Sequence, residues 1–354
     1  MPCSLSLEAA VGERVYIILV NYKGVDDTLE CLESVFRLEH PNFRVVVVDN
    51  ASGDGALERI PAWARGEVSA PVKAPAMAAW TQPSGPKPVS CEVLTREAAE
   101  AGRSVAESDP DLVVVDAGAN LGFAGGNNVG IRHALARGKA DFVWLLNNDT
   151  ITTPKALSAM LQRCRQAPGE VSCGARILYY HHPDTVQALG GGPYNRWTGI
   201  SWTTFGRGLD ADESVDPAAI ERRLDYIMGA SWLLPRRFFE VVGLMREDYF
   251  LYCEEIDWCL RAKGRFALVY ADDAIVYHKE GGSIGSPTAG RPSSLLSDFY
   301  IFRNKLRVVW RFFPIAYPLA YLTTVAQIVN RARRGQWDKV WLIARVLLGK
   351  RSYP

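Results

Sequence analysis

Two short apolar runs restrict this chain more than any other feature. RVYIILVN (14–21) and FRVVVVDN (43–50) are of strand length, rich in β-branched residues and without polar alternation. Between them, VDDTLECLESVF puts Leu29, Leu32, Val35 and Phe36 on one helical face, and Asp26 or Asp27 can cap its start. Strand, amphipathic helix and strand form a βαβ unit. Strands apolar on both faces belong in a parallel sheet covered on both sides. Such sheets bind ligands beyond the carboxyl ends of their strands, where Asn21 and Asp49 fall. The predicted class is α/β.

The 354 residues are 48% hydrophobic, enough for a large core, and the length implies two domains or one large domain with appendages. Forty basic against 39 acidic side chains, a net charge of +1, exclude a uniformly basic protein that coats nucleic acid, and no nucleic-acid partner is expected. The near-zero sum hides a division. Residues 303–351 hold eleven Lys/Arg and one acid, Asp338, a balance of +10 that leaves the rest of the chain at −9. Seven cysteines without a CxxC pair suit reduced thiols in a cytosolic protein, and the N-terminus reads as lacking a signal peptide.

Along the chain, composition shifts at 61–90 to Pro, Ala and Ser, which predicts a mobile insertion over 61–110, with a short helix in EVLTREAAEAGRS. Order resumes at DLVVVDAG (111–118) and the Gly- and Asn-rich ANLGFAGGNNVG, with a helix expected over 127–137 and a strand at DFVWLLNND (141–149). The predicted division is a catalytic body over 1–302 and a basic amphipathic helical tail over 303–354. In that tail Phe312 to Asn330 is uncharged, but Pro314 and Pro318 interrupt it, so it is marginal for spanning about 30 Å of hydrocarbon. Val340, Trp341, Ala344, Leu347 and Leu348 recur at helical spacing beside Lys339, Arg345 and Lys350, the pattern of a helix lying in a membrane interface. The competing arrangement packs these helices on the body or across a homodimer.

Four clusters bear chemistry. Asn147, Asn148 and Asp149 end a buried strand with a carboxylate and two amides, oxygen donors suited to a divalent cation, although strand ends also carry such residues merely as turns. The EEID run (254–257) gathers three carboxylates. On a helix Glu254 and Asp257 share a face while Glu255 points elsewhere, and a general base needs one such carboxylate at a reacting hydroxyl. The bland alternative is a solvated acidic helix start. His278 follows a strand and can ligate a metal, although a lone histidine is more often structural. In NLGFAGGNN (120–128) glycines permit close backbone approach to a ligand, and Asn127 and Asn128 offer hydrogen bonds. This run does not match GxGxxG, which disfavours a dinucleotide site.

Taken in order, ILVNY, VVVVDNAS, NLGFAGGNN, WLLNND, GASWLL, YFLYCEEIDWCLR, VYHKEGGS and the later FYIFRN resemble family-2 inverting glycosyltransferases, most closely a bacterial rhamnosyltransferase-like branch. The resemblance covers roughly residues 14–310 outside the insertion. It implies a GT-A fold, a Rossmann-like, mostly parallel central sheet flanked by helices, here with a C-terminal helical membrane-associating extension. It implies Glu255 as catalytic base, a longer side chain than the family's usual Asp. Asp149 and His278 become ligands of Mg²⁺ or Mn²⁺, with Asn147 replacing the first Asp of the DxD motif. Donor contacts map to Asn21, Asp49, Asn50, Asn120, Gly122, Asn127, Asn147 and Asn148, and acceptor contacts to Trp232, Glu254 and Asp257.

The implied reaction moves a sugar, L-rhamnose from dTDP-rhamnose being favoured, from a dTDP- or UDP-linked donor to a hydroxyl of a glycan. That acceptor is expected on a polyprenyl diphosphate in bacterial surface polysaccharide synthesis, at the cytoplasmic face of the membrane. Two readings compete. A nucleotidyltransferase would need a basic Gly-rich loop near the first strand, where VNYKGVDD offers only Lys23. A catalytically inactive, nucleotide-sugar-binding membrane scaffold would have no need of Glu255, Asp149 and His278 together.

Overall fold

A computed structural model of the chain describes residues 12–104, 109–201, 204–279 and 293–353. The two apolar runs form β1 (Val15–Asn21) and, after α1 (Val25–Val35), β2 (Phe43–Asp49). They are parallel neighbours whose register sets Asn21 opposite Asp49. Alternate residues enter different cores: Ile17 and Val47 pack under α1, whereas Ile18 and Val48 pack on the other face. That division is why neither strand can alternate with polar residues.

The 61–110 stretch departs from the expected loop. It holds α2 (Ala56–Arg65), α3 (Ala78–Thr81), β3 (Cys91–Thr95) and α4 (Arg96–Glu100), and β3 pairs in parallel with β4 (Leu112–Asp116) as an edge of the main sheet. Its anchors converge on Glu33 of α1. Trp63 Nε1 donates to Glu33 Oε1 at 2.7 Å, Gly85 N to Oε2 at 3.0 Å, and the Lys87 ammonium lies 3.1 Å over the Trp63 ring. A buried carboxylate must be satisfied in this way, and Pro- and Ala-rich composition gives no sign of it.

The next helix, α5 (Gly122–Ala136), begins earlier than expected. Its glycines lie against the sheet: a Cβ on Gly126 would come 2.7 Å from Val20 Cγ1, and one on Gly130 2.6 Å from Ile18 Cγ2. Close helix–sheet approach outweighs the poor helix propensity of glycine. There follow β5 (Phe142–Leu146), β6 (Thr150–Thr152), α6 (Ala156–Gln166), β7 (Val171–Tyr179), β8 (Val186–Leu189), β9 (Gly191–Gly192), α7 (Pro217–Glu221), β10 (Tyr226–Ile227), β11 (Ser231–Pro235), α8 (Arg236–Val242), α9 (Glu254–Ala262) and β12 (Ala267–His278).

The main sheet has the order β3-β4-β2-β1-β5-β11-β7-β12-β6, with β8 paired to β7; β9 and β10 form a separate ribbon. From β3 to β5 every pair is parallel, and β11 enters antiparallel between β5 and β7. The sheet is therefore mixed, and its reversal lies at β5, the strand that ends in Asn147-Asn148-Asp149.

The C-terminal region is a helical unit of α10 (Leu295–Phe312), α11 (Tyr317–Arg333) and α12 (Trp337–Leu347). Phe302, Leu306, Ala320, Leu342, Ile343 and Val346 share its core with Leu251 of the body. Helix α10 runs through position 302, so the charge step and the helix start do not coincide. Pro318 sits in the first turn of α11, where its missing N–H costs nothing. Among the described residues no helix is long and apolar enough to cross a membrane.

Candidate active site

The carboxyl ends of β1, β2 and β5 bring three predicted donor residues together. Asn21 Nδ2 donates to Asp49 Oδ1 at 2.8 Å and to Ser52 Oγ at 2.9 Å. Thr28 Oγ1 donates to Asn21 Oδ1 at 3.0 Å and accepts from Asn148 Nδ2 at 2.9 Å. Asn50 clasps the turn into α5, its Nδ2 donating to the Gly122 carbonyl at 2.8 Å, while Asn120 Oδ1 accepts from Gly122 N at 3.0 Å. Gly122 takes a positive φ of 69° against the Phe250 carbonyl, a contact no side chain would permit. The glycines of NLGFAGGNN thus serve contacts within the protein. Asn127 is turned inward too, donating to the Phe123 carbonyl at 3.0 Å, and Asn128 ties α5 to Met245 and Glu247.

Asp149 and His278 meet at the other side of this corner. His278 Nε2 lies 3.3 Å from Asp149 Oδ1 and 3.2 Å from Asn147 Nδ2, and His278 Nδ1 lies 2.9 Å from Gln187 Oε1. Protonated on both nitrogens, the ring pairs directly with Asp149; uncharged, with its proton on Nδ1 toward Gln187 Oε1, it offers the Nε2 lone pair beside the carboxylate, and the two together suit a cation. Two bonds of about 2.1 Å at a right angle hold their ligand atoms about 3 Å apart, which this spacing fits. Among the described residues no set of three or more His, Cys, Asp or Glu side chains gathers for a metal. Among the described residues, Asp149 and His278 are the two strong ligands that meet at this corner.

Burial works to raise the Asp149 pKa, but the charge and hydrogen bond of His278 in its protonated form, joined by the Lys279 ammonium, outweigh it and hold the group below the usual range. Lys279 fixes this edge to α1. Its Nζ lies 2.6 Å from both Asp27 Oδ1 and Glu30 Oε2, and its backbone N donates to the Asp149 carbonyl at 3.1 Å. Residues 280–283 of VYHKEGGS lie outside the described residues.

The predicted base stands at the start of α9. Glu255 Oε1 accepts from Gly229 N at 3.0 Å, and the Ala230 carbonyl accepts from Asn147 N at 3.0 Å. The dipeptide Gly229-Ala230, just before β11, therefore links Glu255 of α9 to the Asn147–Asp149 corner. Burial raises the pKa of Glu255, opposed by the Gly229 N–H. Glu254 is pushed well above the usual range by burial and then by the adjacent Glu255 charge, and its Oε2 finds no hydrogen-bond partner among the described residues.

All three expected acceptor residues, Trp232, Glu254 and Asp257, are buried. Trp232 is fully buried, edge-on to Trp258 and Phe238 at centroid distances of 5.2 and 6.2 Å. Asp257 is likewise buried, accepting from Tyr249 Oη at 3.0 Å and Arg261 Nε at 2.7 Å and pairing with Arg311 of α10 at 3.2 Å. Its spacing from Glu254 on one helical face is real, but that face looks into the protein.

Three contributors had no role assigned from sequence. Gly229 and Asn304 lie in motifs already singled out, GASWLL and FYIFRN. Gln187 had no signal, because only the β7–β8 pairing carries it to His278.

A sequence model of glycosyl transferase family 2 matches residues 16–69 and 94–199. The gap falls within the insertion docked on α1, and the matched parts contain Asn21, Asp49, Asn120 and the 147–149 cluster. Over these residues, a little under half of the chain, the sequence matches glycosyl transferase family 2.

The chain is 27% identical over 157 residues to the low-salt glycan biosynthesis hexosyltransferase Agl10 of Haloferax volcanii, covering 44% of this chain and 48% of that protein. It is also 27% identical over 230 residues to an N-acetylglucosaminyl-diphospho-decaprenol L-rhamnosyltransferase of Mycobacterium tuberculosis, over 59% of this chain and 72% of the relative. The chain thus spans about half the length of the first relative. A mannosyltransferase from Pyrobaculum calidifontis, solved with GDP-Man and Mn²⁺, superposes over 94% of this chain and 73% of its own with a TM-score of 0.50 at 15% identity. The shared property is the GT-A fold, as the sequence resemblance implied.

Proposed function

We propose that this protein transfers a sugar from a nucleoside-diphosphate donor to a glycan hydroxyl by a single displacement that inverts the anomeric carbon. The acceptor is carried on a polyprenyl diphosphate at the cytoplasmic face of the membrane, and the sugar is L-rhamnose supplied as dTDP-rhamnose. One observation carries the reading: Gly229-Ala230 ties the Glu255 carboxylate at the α9 start to the Asn147–Asp149 corner, so base and diphosphate side share one frame. The named activity of the Mycobacterium relative supports the sugar and the lipid diphosphate.

In this mechanism Asn21, Asp49 and Asn148 hold the nucleoside end of the donor through the polar network at the strand termini. Glu255 takes the proton of the acceptor hydroxyl as that oxygen attacks the anomeric carbon, and the nucleoside diphosphate departs from the opposite face. Asp149 and His278 would hold a divalent cation, whose chemistry when bound is to neutralise the diphosphate charge. Orientation by the frame and charge stabilisation supply the rate.

The test is a donor screen with polyprenyl-diphosphate N-acetylglucosamine as acceptor, reading released dTDP, UDP or GDP and the anomeric configuration of the product. Rhamnosyl transfer with inversion is expected. Retention of configuration, or release from another donor alone, overturns the respective part. Asp149→Ala is expected to abolish the metal dependence of nucleotide binding. Equal binding by parent and variant, with and without EDTA, removes Asp149 from that role.

A further inference from the structure

Eleven of the fifteen large apolar side chains exposed among the described residues lie within 295–353. On α11 and the turn before it they form one stripe: Ile315, Leu319, Leu322, Val325 and Val329 recur every three or four residues, with Ile315 89% and Leu322 63% exposed. The opposite side of the helix, Ala316, Ala320 and Thr324, is small and buried in the bundle. A helix on a water-facing surface shows the reverse, its large apolar residues inward and polar ones outward. Trp310, 64% exposed, extends the stripe through its edge contact with Tyr317 at 5.2 Å. On α12, Trp337 and Trp341 are exposed one turn apart, with Leu342, Ile343 and Val346 inward.

Charge selects the occupant. Arg333, Arg334, Arg345, Lys350 and Arg351 are exposed on the same helical unit, and Asp338 is the single acid in 303–351. A second copy meeting this face about a two-fold axis would set cations against cations. A bilayer with anionic headgroups satisfies every component: acyl chains take the aliphatic stripe, the headgroup zone takes tryptophan, and phosphates take arginine and lysine.

We propose that the outward face of α11, with Trp310 and the α12 tryptophans, seats the protein in the plane of an anionic membrane surface. The unit lies on the bilayer, consistent with the absence, among the described residues, of a helix able to span it. Through Leu251, the same helical unit packs on the segment before Glu254 and Glu255. The surface is independent of the sugar-transfer reading, and its test needs no donor.

The test is flotation of the full chain with vesicles of phosphatidylcholine alone or with about 30 mol % phosphatidylglycerol, at low and high salt. Wild type is expected to float with the anionic vesicles at low salt. Leu319→Glu/Leu322→Glu is expected to reduce the bound fraction at least about ten-fold with an unchanged melting temperature, and Arg333→Glu/Arg334→Glu to abolish the preference for anionic lipid. Wild type that stays unbound, or aliphatic-stripe variants that bind as wild type does, overturns the proposal. So does a stable dimer that the same Leu variants split without any effect on vesicle binding. Equal flotation with both vesicle types overturns the anionic specificity.

Discussion

Asn304 Nδ2 lies 2.6 Å from the carbonyl oxygen of Leu251, and the same amide nitrogen lies 2.9 Å from the carbonyls of Tyr249 and Tyr252. This is the backbone that leads into Glu254. It is bent there: Phe250, Tyr252 and Cys253 have φ of 65°, 65° and 69°, left-handed values that disfavour residues with a Cβ. One buried amide from α10 thus binds carbonyls that a strained turn leaves out of any ladder, and Phe123 N of α5 donates to the Phe250 carbonyl at 2.8 Å.

Asn304→Ala should therefore cost about 2 kcal/mol of stability, since buried carbonyls lose their donor. It should also lower the transfer rate at least ten-fold while leaving nucleotide affinity near its parent value. Asn304→Asp, which faces the carbonyls with an acceptor, should be worse. Thermal melting, nucleotide titration and turnover on the same samples check this; loss of stability with full kcat in the surviving fraction would reduce Asn304 to a packing role.

Glu255→Gln is expected to lower transfer by about 10²–10⁴-fold with donor binding retained, the range for removal of a general base. The base works ionised, and burial raises its pKa. Activity should accordingly rise with pH through a midpoint above the ordinary glutamate value. A pH profile of kcat/KM whose acid limb lies at or below that value contradicts the assignment.

Gly229→Ala places a Cβ 2.6 Å from Glu255 Oε1 and 3.1 Å from Phe123 Cζ. The carboxylate must swing off its N–H donor, and that donor is what restrains its raised pKa. A lower kcat together with an acid limb moved further up the pH scale is expected. A fall in rate with an unmoved limb would point to a steric effect alone.

Glu254→Gln should stabilise the protein at neutral pH. The carboxyl is buried with one unsatisfied oxygen, and its folded-state pKa stands well above its unfolded value, so the folded state binds the proton more tightly. The cost of ionising it is absent in acid, grows as pH climbs from the unfolded value toward the raised folded value, and then levels. The gain of the variant, about 1 kcal/mol or more, should follow that course in melting experiments at several pH values. A gain of equal size at pH 4 and pH 8 would assign the effect to something other than ionisation.

What could be read from the sequence was local or strand-terminal. The parallel β1–α1–β2 unit, the polar strand ends at Asn21, Asp49 and 147–149, and the carboxylates of α9 follow from hydrophobic periodicity and from where apolar runs stop. The insertion was misread because its anchors are single contacts to Glu33, a residue whose need for partners arises only once α1 is packed. The glycines of α5 were read as space for a ligand, yet Gly126 and Gly130 fit against Val20 and Ile18, a distance no linear pattern contains.

Period alone cannot say which way a helix faces. Glu254 and Asp257 share a face of α9 at the predicted spacing, but packing against α10 and Arg311 turned that face inward and left Glu255 at Gly229. Likewise the basic tail was visible as charge, whereas only the tertiary structure decided that small residues of α11 go inside and its large aliphatic ones outside. Sequence determined which groups exist and roughly where each strand ends; long-range packing determined which of them meet, because burial energy depends on neighbours distant in the chain.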